Sequence, residues 1–470
     1  MGMRCVAMGE GADSSIYSSG MLLRGRIMSL MISKKILNGL NSIVVFTILA
    51  NASAAQSDPP IPFGDTIDIA AYSGAVGDGV TDDTSRVQMA LTVCSNQGLT
   101  CLIPSNKSFL ITKELYLWGA GNLVGTDSTS SLHLNTGSVP YILNIGIAGT
   151  QQLKSPWTGR IQHVTFQAVG PGTGRIIFLW RSDGATIANN IFNVGAYGYG
   201  PTSSGNNNHV VRNGNAHCIR KNIKIIANVI TAKGTDLIGN EGIGLNQWDG
   251  AEIAYNTVSG VGDDMIGIHF SRNINIHDND LSGVDGRLFV ANSRHVTIVN
   301  NKVSREASKL TGLWYPGIAL LYIGHEADVP NNESAPTHIT ARGNTLTYNP
   351  GAVDRGAAIY VYGPRNVTVS DNIVVNNSSA TTASGIHLLP FAFLKGSVWR
   401  DPDGLDPHMV SRVHNVTIAN NNLNRGSHPM SVIQTGQHCD YYVGPVTIEN
   451  NLARDYSFIC DPITRENRRN

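Results

Sequence analysis

The sequence predicts an all-β fold: one chain wound into a parallel β-helix, its first coil closed by a helix. Three observations predict it. A short motif with one asparagine at a fixed place recurs along the chain. A second strand-like run precedes most copies, with no helix between. The composition is rich in glycine (50 of 470 residues) and only 14% charged, which favours strands and turns over helices. Net charge is zero, so there is no basic surplus to neutralise phosphates, and nucleic acid is excluded as an expected partner.

Residues 1–55 read as a start region followed by an export signal. Lys34 and Lys35 form a positive segment, residues 43–50 (IVVFTILA) an apolar core, and Ala52-Ser53-Ala54 a small-x-small cleavage site. Residues 1–30 read as lying upstream of the true start, with Met28 or Met31 initiating. The apolar run is too short to span a bilayer. The mature chain is therefore expected to be secreted or periplasmic, with no membrane span. Cysteine usage fits an exported protein. Cys94 and Cys101 are placed to staple a helix end to the next strand, and Cys439 and Cys460 to close the C-terminus. Cys218 is left over, and Cys5 precedes the signal.

The first structured segment, from residue 63, holds a helix start at Thr81–Thr84. An apolar-spaced helix follows through Val87, Ala90, Leu91 and Cys94, suited to plug the otherwise open core of the first coil. CLIPSNKSFLI (101–111) then begins the ladder.

The motif itself alternates apolar and polar residues, often around a threonine, then an asparagine, one residue and an apolar residue. ATIANNIF (185–192), AEIAYNTV (251–258), VTIVNNKV (296–303) and VTIANNNL (416–423) are typical copies. The recurring asparagines are Asn190, Asn228, Asn256, Asn279, Asn301, Asn344, Asn372, Asn421 and Asn451. The second strand is read in GIGLN (242–246), MIGIHF (265–270), RLFVANS (287–293), GIALLYIG (317–324), AAIYVYG (357–363) and GIHLLP (385–390). One such unit cannot bury its own core, so neighbours must stack, each coil roughly 4.8 Å from the next. Asparagine suits a sharp bend in this stack, because it tolerates left-handed φ and its amide can bond to the copies above and below. The spacing widens into excursions at 191–222, 302–338 and 375–415; loops of that length tend to be functional. Trp314 and Tyr315, in the second, are candidate substrate contacts, and the third carries Phe391, Phe393 and Trp399.

The run SGAVGDGVTDDTSRVQMAL (73–91), the Ile103-Pro104 pair and the coils after them resemble the pectate-lyase-like superfamily of right-handed, single-stranded parallel β-helices. That superfamily includes polygalacturonases, pectate lyases, mannuronan C5-epimerases and phage tailspike depolymerases. The resemblance covers about residues 63–460, leaving 461–470 as a tail. It implies right-handed coils and a polysaccharide partner, and it does not choose among chemistries.

Aligned on Ile243, Ile266 and Leu288, three successive coils bring Glu241, the pair Asp263 and Asp264, and Asp285 to one edge. Arg287 lies beside them and His269 ends the middle strand. This layout is similar to the polygalacturonase active site. Gly262-Asp263-Asp264 matches that family's Asp-Asp motif, and GNEG (239–242) matches its first motif with Glu241 in place of Asp. VDGR (284–287) lacks the expected histidine, and GIALLYI lacks the Arg-x-Lys that grips galacturonate carboxylates. Glycoside cleavage needs one carboxyl protonated and another ionised, and crowding like charges provides that by splitting their pKa values. Any single Asp here reads first as a solvated, idle turn residue; repetition over three coils brings the catalytic reading level with that one or slightly above it. The expected function is an exported glycoside hydrolase with Asp264 as general acid, Asp263 and Glu241 activating water, and no cofactor. The alternative is a lyase in which Glu241, Asp263, Asp264 and Asp285 hold Ca²⁺ and Arg287 acts as base. Asp406-Pro407-His408 resembles the Asp-Pro-His motif of C5-epimerases, but it lies some 20–25 Å beyond Asp264 at one coil per roughly 4.8 Å. A glycan-binding β-helix without catalysis is the third reading.

Overall fold

Alternating apolar residues in each short strand give the molecule its inside. In the computed structural model, the described residues run from 65 to 458. They exclude 136–140, 149–151, 169–174, 195–198, 203–219, 233–240, 285, 308–318, 325–335, 355, 382, 390, 393–409, 412, 431, 436–443 and 454. The chain winds through three sheets in turn, of 14, 12 and 12 strands among the described residues. Apart from two short two-stranded ribbons, every pairing is parallel and joins one coil to the next. One coil reads Asp249–Ala254 in the first sheet, Thr257–Val261 in the second and Asp264–His269 in the third. The fold is a right-handed parallel β-helix.

Stacking in register turns the sequence repeat into columns of identical environment. In the first sheet, Ile225, Ile253, Ile276, Ile298, Ala341, Val369 and Ile418 lie one above another and are fully buried. Burying such a side chain contributes about 1.5–3 kcal/mol. No coil has a core of its own; each apolar side chain is buried by the coil above and the coil below.

The expected helix is Thr84–Gln97, and it buries Val87, Ala90, Leu91 and Cys94 against the first coil. The Cys94–Cys101 disulfide ties its end to the strand Thr100–Ile103. Gln88 bonds both the N–H and the carbonyl of Tyr116, at 2.7 and 3.2 Å. The first strand of the third sheet, Leu115–Leu117, is thereby spared an open edge. The pairing expected for Cys439 and Cys460, the signal segment and Cys218 all lie outside the described residues.

All nine repeat asparagines form one continuous ladder at the corner between the first and second sheets. The Nδ2 group of each donates to Oδ1 of the next at 2.8–3.0 Å. Each backbone N–H donates to that same Oδ1 at 2.9–3.1 Å. The second Nδ2 hydrogen goes to a carbonyl of the preceding coil, such as Ile276 for Asn301 at 3.0 Å. The left-handed conformation expected of these asparagines belongs instead to the residue before each: Asn189, Ala227, Tyr255, Asp278, Asn300, Gly343, Asp371, Asn420 and Asn450, with φ between 53 and 67°. The corner bends one residue early, which turns the ladder side chain inward.

A second, shorter ladder holds the corner between the third and first sheets. Ser271 Oγ accepts from the Trp248 N–H, and Ser293 Oγ from the Ser271 N–H, each at 3.0 Å. No helix among the described residues is long and apolar enough to cross a membrane.

Asn301→Ala takes the acceptor from the Asn279 N–H and from one Nδ2 hydrogen of Asn279, and a donor from Asn344 Oδ1. Its expected cost is about 3 kcal/mol, against about 2 kcal/mol for Asn451→Ala, which takes the same two acceptors from Asn421 but lies at the more exposed end of the ladder. Urea unfolding of the two variants measures both, and equal losses would argue against a cooperative ladder.

Candidate active site on the third sheet

Third-sheet strands keep strict register from coil to coil. Ile243, Ile266, Leu288, Leu321, Ile359 and Ile386 form one inward column. Gly244, Gly267, Phe289, Tyr322, Tyr360 and His387 form the neighbouring column on the opposite, outer face. Simple alternation would send Asp264 inward with Ile266. A register shift between the two prevents this and pairs Asp264 with Arg287, as bulges do when they re-aim a side chain.

Glu241, Asp263 and Asp264 come together from successive coils as the spacing predicts. The Gly242 N–H bonds the Asp264 carbonyl at 2.9 Å, and the Arg287 N–H bonds the Asp263 carbonyl at 3.1 Å. Asp285, Trp314 and Tyr315 lie outside the described residues, as do Asp406 and His408. The group in register above Asp264 is therefore a cation, Arg287, where the sequence reading stacks another acid.

The two adjacent acids have different surroundings. Asp264 is buried, and its Oδ1 accepts from Arg287 Nε at 2.6 Å. His269 Nε2 lies 3.8 Å from its other oxygen, too far for a direct hydrogen bond. Asp263 keeps 42% of its side-chain surface open, with Arg287 Nη2 at 3.6 Å. Crowding by protein, then the charge of Asp264, and more weakly that of Glu241, push the Asp263 carboxyl up to about 8, while Arg287 and His269 pull it back. Its open surface lets water offset part of that crowding, so the upward direction carries the argument. Burial disfavours the charge on Arg287, but Asp264 and Asp263 outweigh it and hold the guanidinium protonated beyond its ordinary value. Gly267 is small for a reason: a Cβ there would meet Asp264 Oδ2 at 3.0 Å and His269 Nε2 at 3.2 Å.

A row of rings extends from this cluster along the outer column. Arg287 lies over Phe289, 4.3 Å from its centroid. Phe289 stacks on Tyr322 at 4.6 Å, and Tyr322 on Tyr360 at 5.6 Å. Tyr360 meets Tyr362 and His387 edge-on at 5.8 and 5.3 Å. The sequence reading missed this row, although four successive second strands carry a ring at the same place: Phe289, Tyr322, Tyr360 and His387. Beneath it, the buried Arg305 bonds Asp354 at 2.7 Å and the Ala319 carbonyl at 2.8 Å, while Asp354 accepts from the Gly356 N–H at 2.9 Å. That pair anchors the starts of the strands that present Tyr322 and Tyr360.

Among the described residues no group of three His, Cys, Asp or Glu is placed to hold a metal ion, and the Arg287 guanidinium lies against both Asp263 and Asp264.

Three-sheet coils, a capping helix and a charged cluster on the outer face of one sheet define a right-handed parallel β-helix with a candidate active site. Residues 219–441 match the family model described as "Periplasmic copper-binding protein (NosD)". The mannuronan C-5 epimerase AlgE6 A-module of Azotobacter vinelandii has a similar fold. It is 15% identical, with 83% of this chain and 95% of that one covered and a TM-score of 0.51. The surface protein and adhesin PfbA of Streptococcus pneumoniae is 14% identical over 84% of this chain and 99% of that one, with a TM-score of 0.49. These likenesses are of fold alone. No curated protein matches this chain in sequence.

Folded Asp263 holds its proton to higher pH than the unfolded side chain, whose ordinary value is 3.8. The stability this adds is complete below that value and is lost as pH rises towards about 8. Asp263→Asn lacks the titration. It is expected to be more stable than the natural protein at pH 8, with the gap closing near pH 4. Urea midpoints across this range are the check; a constant gap would refute the shift.

Proposed function

We propose that this protein is an exported, carbohydrate-active enzyme that hydrolyses glycosidic bonds with Asp263 as its general acid. One observation carries the reading. Of two adjacent carboxylates, the open one is held protonated towards neutral pH and the buried one is engaged by a guanidinium. Hydrolysis needs a protonated carboxyl at the leaving oxygen and an ionised one to activate water. Asp263 suits the first role, and Glu241, close enough to raise the pKa of Asp263, suits the second. As the bond to the leaving oxygen breaks, Asp263 gives that oxygen its proton. Glu241 takes a proton from the water that attacks the sugar carbon. Asp264, Arg287 and His269 act by positioning. The sequence reading makes Asp264 the acid and Asp263 a water activator; here Asp263 is the acid and Asp264 a positioning group.

Hydrolysis is favoured over β-elimination by the state of Arg287. The carboxylate of Asp264 at 2.6 Å keeps it charged, which makes it a poor base. Export is supported by the apolar run at 43–50 ahead of a small-x-small site, by the disulfide, and by a family model whose description is periplasmic.

Asp263→Asn is expected to lower kcat about 10³-fold while retaining glycan binding. In the natural protein the rate should fall as pH rises through the Asp263 value of about 8, because the acid form is consumed. Reducing-end release from a panel of neutral and acidic glycans measures both. Unchanged turnover in the variant would reject Asp263 as the acid. Binding without any turnover by the natural protein would make this a glycan-binding β-helix instead.

A further inference from the structure

The ring row has two parts. Phe289 and Tyr322 are each only 6% exposed and serve as a packed spine behind Arg287. Tyr360, Tyr362 and His387 are only partly covered and lie on the outer face of the third sheet. Tyr360 and Tyr362 lie three coils from Asp264 and His387 lies four. At one coil per roughly 4.8 Å, that is about 14 and 19 Å along the axis.

These three groups are uncharged near neutral pH. Burial, then the neighbouring Tyr362, raises the Tyr360 hydroxyl, and burial raises that of Tyr362. Burial lowers the His387 imidazole to about 4. The next residue in the column is Gln434, also neutral. A uronate carboxylate placed here would lose its hydration with no cation among these groups to replace it. A neutral sugar unit would set its hydroxyls against the polar edges of Tyr360 and His387 and exchange hydrogen bonds with them.

We infer that Tyr360, Tyr362 and His387 form a distal subsite for an uncharged sugar unit, on a glycan lying along the superhelix axis with its reacting bond at Asp263. The inference rests on the glycosidase reading for the reacting end, and on the ring geometry and the lack of charge among these groups for the distal end. It makes the substrate a neutral polysaccharide long enough to span several coils, and it makes chain length a determinant of rate.

The test uses the full chain carrying Asp263→Asn, which binds without turnover, in native gels cast with a β-glucan, a galactomannan, pectate or alginate. A neutral glycan should retard it more than either polyuronate. Adding Tyr360→Leu, or separately His387→Ala, should weaken retardation about tenfold, with thermal unfolding checked to show that each variant folds. In the active protein, kcat/KM should climb with oligosaccharide length, and Tyr360→Leu should flatten the climb. Stronger retardation by pectate or alginate, or retardation unmoved by both added substitutions, would overturn the subsite. If the active protein cleaves nothing while ring-dependent retardation persists, the subsite stands and the glycosidase reading falls.

Discussion

Everything in this molecule depends on a buried amide finding its partners in the next coil. A side-chain amide hidden from water costs several kcal/mol unless its donors and acceptor are all bonded. In the ladder from Asn190 to Asn451, Oδ1 accepts twice from the preceding coil, and Nδ2 donates once forward and once back, as Asn301 does to Asn344 and Ile276. No coil can meet these demands alone. A coil slipped by one residue would lose all of them and would turn its apolar column outward as well. The ladder therefore fixes register, and register fixes the rest.

Fixed register is what makes an outer site possible on strands only four to six residues long. A residue's place in its coil decides its column, and the column decides its neighbours. Arg287 faces Asp264 because the strands pair there, and Tyr360 faces Tyr322 for the same reason. Loops need not supply this precision. The buried Arg305–Asp354 pair adds local rigidity where the strands of Tyr322 and Tyr360 begin. Loss of either partner would strand a charge at 0–1% exposure, a cost of about 3–5 kcal/mol.

Much of the frame was legible because it repeats. Nine asparagines, the helix face of Val87, Ala90, Leu91 and Cys94, the Cys94–Cys101 link and the meeting of Glu241 with Asp263 and Asp264 all follow from spacing. Features that depart from the repeat were not legible. Sequence spacing cannot show that the corner bends at Tyr255 and not at Asn256, because nothing about a tyrosine announces a left-handed φ. The aromatic row was hidden for another reason. Its members read as ordinary strand residues until register aligns them.

The doublet Asp263-Asp264 illustrates how backbone geometry separates two like side chains. On a regular strand, neighbours point to opposite faces, so one of the two would enter the core as an unpaired charge. Here Asp263 sits at the corner and Asp264 opens the strand, with a register shift before Ile266. Both acids escape the core, and they escape to different places. Asp264 is taken up by Arg287, which cannot neutralise both acids at equal range: 2.6 Å to one against 3.6 Å to the other. Crowding by protein and then the remaining repulsion fall on Asp263, the more exposed acid. A one-residue irregularity in pairing, with Arg287 bound to one side, thus converts two identical carboxyls into a fixed partner for a cation and an exposed, reluctant acid.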